Sequence, residues 1–318
     1  MTRKAAEPSR RQPGPRRDKE PLHCIAACGR EVDIGTCVIR WDQPGSLVCP
    51  NPRGRSACTR HDPRLNDAPT LPFSRYRIHN PDQAYEELKK TVHQFVLHYD
   101  VCWTSRHCHQ LLADSPFKGS HFYLDLDGTV YQTCDLYWKT NTAPADDGLG
   151  NERAVHVEMA NLSWQARAEE SGLHLLQTDA YRKTDAGWLL NLPAGRRQEL
   201  RLQSFQPLAA RAYGDRGYFS RKINGRTVRM WDFTEAQYAA LIRLCRGVHE
   251  LLPRVRLQVP WDPEQRRTPL DRLPGFSRFE GILGHAHVQG GNKNKGIKRK
   301  YDPGSAFDWG RLRRALSR

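Results

Sequence analysis

The chain has 318 residues, enough for one large domain or two small ones, and 38% of them are hydrophobic. This composition excludes a wholly disordered protein, and the absence of any apolar run of about 18 residues excludes a predicted membrane span. The formal net charge of +15 favours an anionic partner, such as nucleic acid, a membrane surface or a cell-wall polymer, without choosing among them.

Residues 1–21 are rich in Pro and Arg and show no periodicity, which predicts a disordered basic tail. They contain no apolar segment typical of a secretory signal, so we expect a cytoplasmic protein or export by another route. Residues 22–79 are predicted to form a small β-rich region of short strands and turns. Five cysteines lie in it, flanked by His23 and His61, without the C-x2-C pair typical of zinc sites. A structural zinc, disulfides and buried thiols remain open there.

Residues 80–318 are predicted to form one α/β domain, a central mainly β-sheet flanked by helices. A helix beginning near Pro81 leads into the apolar strand QFVLHYD. It is followed by the helix SRHCHQLLAD, the D-G hairpin HFYLDLDGTVYQT and the strand RAVHVEMANL. TEAQYAALIRLCRGVHELLP has Thr at its N-cap and is the strongest helix prediction; GILGHAHVQ predicts a short strand and FDWGRLRRALSR a terminal helix. The stretch 162–230 is interpreted as an irregular insertion ending in the N-G hairpin YFSRKINGRTVRMW.

Three residues form a candidate zinc site. His98 ends an apolar strand, His285 follows the Gly-rich GILG, and Asp302 lies in KYDPGSAFDW, where Pro303 and Gly304 impose a turn. Two imidazoles and one carboxylate leave a fourth position open, which is the pattern of catalytic zinc. Spacing alone makes this site suggestive, because a single His at a strand end is more often an ordinary polar residue.

Glu158 is the candidate general base, since it is the one carboxylate in an otherwise apolar strand and burial would raise its pKa. The alternative is a Glu on a solvated strand face.

Three segments resemble the superfamily of N-acetylmuramoyl-L-alanine amidases and peptidoglycan recognition proteins. They are FVLHYD, the pair SHFYLDLDGTVYQ and GNERAVHVEMAN, and GHAHVQ with KYDPGSAFDW. The resemblance covers about 80–160 and 230–316 and implies an amidase-like fold. It further implies hydrolysis of the amide between muramic acid and L-Ala, with peptidoglycan or a muropeptide as substrate.

The resemblance also implies residue roles. His98, His285 and Asp302 would bind Zn²⁺, Glu158 would take a proton from the attacking water, and Lys300 would stabilise the oxyanion. His287 is a competing ligand, and His285 is preferred because it directly follows Gly284.

The chain also departs from the family pattern. Where some members carry a Tyr, this chain has Ser120, so it resembles the branch that uses Glu, and YWKTNTAP replaces a substrate-contacting W-H-x-G turn. His121 is left with either a substrate-contacting or a structural role. Cys102 and Cys108 have the spacing of a disulfide that the family carries beside its groove, and they remain free thiols in a reducing compartment.

A non-catalytic peptidoglycan-binding module of the same fold is the main alternative, and loss of a zinc ligand would favour it. No nucleic-acid-binding module is recognisable, so no nucleic-acid partner is expected. We expect a monomer.

Overall fold

The computed structural model describes residues 23–49, 81–113, 118–162 and 180–318. Its centre is a six-stranded mixed sheet in the order β12-β4-β7-β5-β6-β3. All neighbouring pairs are parallel except the hairpin β5–β6. The strands of this sheet are β3 (Val38–Arg40), β4 (Gln94–Tyr99), β5 (Phe122–Leu124), β6 (Val130–Gln132), β7 (Ala154–Met159) and β12 (Gly281–Gly284).

Three small antiparallel hairpins accompany the central sheet. They are β1 (Cys24–Ala27) with β2 (Arg30–Asp33), β8 (Tyr181–Thr184) with β9 (Gly187–Leu190), and β10 (Phe219–Ile223) with β11 (Arg226–Met230). The α-helices are α1 (Pro81–Thr91), α2 (Ser105–Ala113), α3 (Gly150–Arg153), α4 (Ala194–Arg197), α5 (Glu235–Leu251), α6 (His285–Val288) and α7 (Trp309–Leu316). Among the described residues, no helix has the length and hydropathy needed to cross a bilayer.

Strand alternation divides the central sheet into two unlike faces. On β4, Phe95 and Leu97 belong to the main hydrophobic core, which also contains Leu244 and Val248 of α5. His98, the residue after Leu97, is directed to the opposite face. The sheet therefore has one face covered by the long helix and one face available for polar side chains.

The predicted class, an α/β fold with a central sheet flanked by helices, is confirmed. The predicted strand QFVLHYD, the D-G and N-G hairpins and the helices at 105–113, 235–251 and 309–316 are also present. The long helix begins at the predicted cap, where Thr234 and Gln237 exchange side-chain and backbone hydrogen bonds in a capping box.

Two regions contain more regular secondary structure than their sequences predict. The stretch 162–230 was expected to be irregular before its last hairpin, yet β8 and β9 form an antiparallel pair within it. In the N-terminal region, β3 pairs in parallel with β6 and so extends the central sheet. The predicted tail 1–21, and Cys58 and His61, lie outside the described residues, and the domain boundary near residue 79 stays a prediction.

Candidate metal centre

Two parallel neighbouring strands bring the candidate ligands together. His98 is the fifth residue of β4, and His285 directly follows β12, whose Gly284 is the register partner of Leu97. Asp302 reaches them because its carbonyl accepts a hydrogen bond from the backbone N–H of Ala286 at 2.9 Å. This close approach requires glycine at 284, since a Cβ there would clash with Cδ of Pro303.

The donor atoms converge on one point. Asp302 Oδ2 lies 3.1 Å from His98 Nδ1 and 3.0 Å from His285 Nδ1. One potential ligand atom from each of the three residues lies within 4.8 Å of the others.

The remote ring nitrogens of both histidines are already engaged. His98 Nε2 lies 3.1 Å from Nδ1 of His156, and His285 Nε2 lies 3.0 Å from Oε1 of Gln289. A metal-binding histidine is normally held in this way through its second nitrogen. Two imidazoles and a carboxylate are also ligands that Zn²⁺ prefers, so the group fits a zinc ion.

The surroundings of His98 and Asp302 shift the pKa of each side chain in the direction that favours a bound cation. Burial, followed by the charge of His285, lowers the pKa of His98 to about 4, so its imidazole is neutral at pH 7. Burial alone would raise the pKa of Asp302, but His285 and His98 together hold it well below its ordinary value. A neutral imidazole at His98 and an ionised carboxylate at Asp302 are protonation states that metal binding requires.

Glu158 lies beside this group on the neighbouring strand. It is the register partner of His98, and its Oε1 is 3.9 Å from His98 Nδ1. Its side chain is 12% exposed. Burial, followed by the charge of Asp302, raises its pKa to about 8, against the opposing charge of Lys300. The pKa therefore lies near neutrality, the range suited to proton transfer.

Lys300 contributes positive charge at the same place. It acts on both His98 and Glu158. Its backbone N–H donates to the Gln289 carbonyl at 3.0 Å, and its own carbonyl accepts from Asn224 at 2.8 Å. The main chain of Lys300 is thus anchored on both sides.

The other two histidines considered from the sequence have different surroundings. His287 accepts the Gly284 N–H at Nδ1 and lies 2.7 Å from the Pro269 carbonyl at Nε2, so both ring nitrogens are engaged away from the site. His121 is fully buried and contacts the Trp138 carbonyl and the Thr140 hydroxyl. These contacts correspond to the structural role that the sequence left open for His121.

None of the eight cysteines that the structure describes forms a disulfide. Cys102 and Cys108 are buried side by side near Asp100, and contact with Cys102, together with burial, raises the pKa of Cys108 well above its ordinary value. A thiol that stays protonated, as Cys108 does, is a poor metal ligand. Of the N-terminal cysteines that the structure describes, Cys24, Cys28, Cys37 and Cys49, none belongs to a possible metal group.

Sequence reasoning missed His156 and Gln289. Gln289 stands four residues after His285 on the same helical turn, a spacing that brings side chains together. His156 stands two residues before Glu158, so alternation places both on one strand face. These spacings are the only sequence signals for either residue.

Fold and geometry together define an α/β protein with a His–His–Asp group, its histidines buried and its Asp partly buried, that could hold a metal ion. Neither a known protein family nor a curated protein matches the chain in sequence. Among solved structures it is similar to a selenomethionine derivative of AmpD, with 13% identity and a TM-score of 0.33, over 71% of this chain and 86% of that one.

Proposed function

We propose that the chain is a zinc-dependent N-acetylmuramoyl-L-alanine amidase, which hydrolyses the amide between muramic acid and L-Ala in peptidoglycan or its fragments. The observation that carries the proposal is the convergence of His98 with His285 and Asp302, which lie far from it in sequence, next to Glu158. The motif resemblance supports the choice of substrate, and this geometry supports zinc-assisted hydrolysis.

Each residue has a defined task. His98, His285 and Asp302 would hold the zinc, which, when bound, acts as a Lewis acid on the scissile carbonyl. Glu158 accepts a proton from the attacking water and returns it to the leaving amine, for which a pKa near neutrality is suited. Lys300 supplies a fixed positive charge where negative charge develops on the carbonyl oxygen.

The test is incubation of the purified protein with defined muropeptides, with and without a chelator, followed by mass analysis. We expect release of stem peptide with a free L-Ala amino terminus, and loss of this product on chelation. Unchanged substrate with fully zinc-loaded protein would show a binding module instead.

Two variants separate metal binding from turnover. Glu158→Gln should keep zinc and lose about 10²–10⁴-fold in rate, because it removes only the base. His98→Ala should lose zinc. His109→Ala is the matched control, since this largely buried histidine bonds the Val48 carbonyl instead of the ligand group. Full activity of Glu158→Gln would exclude Glu158 as the base.

A further inference from the structure

His156 contacts His98 on the side of its ring away from the candidate metal centre. His156 lies on β7, where its register partner is Val96, two residues before His98 on β4. The His98 and His156 rings are 5.3 Å apart at 55°, and their exposures are 2% and 0%. A hydrogen bond joins His98 Nε2 to His156 Nδ1 at 3.1 Å.

The direction of this hydrogen bond decides whether His98 can bind a cation. A neutral imidazole carries one proton, so a lone pair at Nδ1 requires the proton at Nε2. The Nε2–H of His98 must then donate to His156 Nδ1, and His156 must carry its own proton at Nε2. The opposite arrangement would place the proton of His98 at Nδ1, toward Asp302, where it would block a metal ion.

A third histidine holds His156 in place. The backbone N–H of His156 donates to His121 Nδ1 at 3.1 Å, and the two rings stack 5.8 Å apart at 20°. His121 Nε2 lies 2.8 Å from the Trp138 carbonyl. Because a carbonyl only accepts, His121 donates from Nε2 and accepts at Nδ1, which agrees with its contact to His156.

We propose that His156 is a positioning residue, which accepts the Nε2–H of His98 and so presents the Nδ1 lone pair of His98 to the metal. This role rests on the proposed zinc site. Partners of this kind typically contribute 10–100-fold in metal affinity.

The test compares zinc affinity, by competition with a chromophoric chelator, between two substitutions at one position. His156→Phe keeps an aromatic ring and removes the acceptor, so we expect zinc binding about 10–100-fold weaker. In His156→Asn, the amide oxygen stands near the position of Nδ1 and can accept, so we expect affinity within a few-fold of wild type. His156→Leu replaces the Phe variant should that one not fold, and His109→Phe controls for loss of a partly buried histidine elsewhere.

Nitrogen NMR of the histidine rings gives a readout besides affinity. In the zinc-loaded wild type, His98 should carry its proton at Nε2. Equal zinc affinity in His156→Phe and wild type would overturn the positioning role and leave the proposed function intact. Equal losses in the Phe and Asn variants would also overturn it, in favour of packing alone. Failure of the wild type to bind zinc would overturn the proposed function as well.

Discussion

Asp125 is a carboxylate buried at the turn between β5 and β6. Its Oδ1 accepts the backbone N–H groups of Leu126 and Ser105 at 2.9 and 3.2 Å, whereas its Oδ2 has no hydrogen-bond partner among the described residues. Burial, followed by the charge of Asp127, raises the pKa of Asp125 to about 7. Ionisation of this one side chain therefore opposes folding.

The sign of the resulting pH dependence follows from the two protonation states. Between the ordinary pKa of 3.8 and about 7, the unfolded chain has released the proton that the folded protein still holds. Raising the pH through this window therefore lowers the free energy of unfolding of the wild type, relative to Asp125→Asn, by up to about 1.4 kcal/mol per pH unit. Urea unfolding of both proteins at about pH 5, 6, 7 and 8 measures the difference. Parallel pH profiles would contradict the raised pKa.

Some residues of the candidate site can be predicted from the sequence, and others depend on tertiary contacts. Within its own motif, each of His98, His285, Asp302 and Glu158 could be selected. From sequence, His285 is preferred over His287 only by its position after Gly284; the contact of His287 Nε2 with the Pro269 carbonyl, 18 residues away, is seen in the structure alone. The role of His156 depends on the register of β4 against β7, which strand patterning does not encode.

At the scale of elements, the start of α5 joins two parts of the fold. The Thr234 hydroxyl accepts the Gln237 N–H at 3.1 Å and donates to the Leu126 carbonyl at 2.7 Å. The Gln237 side chain donates in turn to the Ala160 carbonyl beyond β7 at 2.7 Å. The helix cap therefore also fixes the sheet.

Thr234→Ala should lower the free energy of unfolding by about 2 kcal/mol, because it removes the cap and leaves the buried Leu126 carbonyl without its donor. Thr234→Ser keeps the hydroxyl and should remain within about 0.5 kcal/mol of wild type. Chemical denaturation of the three proteins measures both values. A similar loss in the Ser variant would assign the effect to the methyl group instead.

The elements were predicted to different degrees. Helix α5 combines apolar periodicity with a cap and a closing Pro, so its sequence determines it locally. Strands β8 and β9 have four residues each, two of them exposed in β8, and so short a pattern cannot be distinguished from a loop. The parallel order β12-β4-β7-β5 arises from contacts between distant segments and has no local signal.

At the scale of the whole molecule, two segments rich in Lys and Arg lie next to each other near the candidate metal centre. The hairpin 219–230 carries four cationic residues, the segment 290–301 carries five, and neither contains an acidic residue. Asn224 at the hairpin tip joins them, because its amide donates to the carbonyls of Ala286 and Lys300 at 3.0 and 2.8 Å. The two segments form one basic surface.

We expect this basic surface to attract anionic wall polymer, with binding that weakens as salt increases. Lys293→Glu with Lys298→Glu should reduce the fraction of protein that pellets with purified wall several-fold at low salt. Lys89→Glu with Lys90→Glu, on α1, makes the same change of charge outside the surface and should have a smaller effect. Equal losses in both double variants would indicate a response to net charge alone.

The placement of the three ligands also links metal occupancy to the integrity of the chain. His98 and Asp302 lie near opposite ends of the described α/β region, and an unfolded chain would not hold their donor atoms together. By mass action, a metal ion present at a free concentration of 100 times its dissociation constant would add about 2.7 kcal/mol to the free energy of unfolding. Bound zinc would then link β4 to the C-terminal segment. A chelator would lower the free energy of unfolding as well as abolish the proposed hydrolysis.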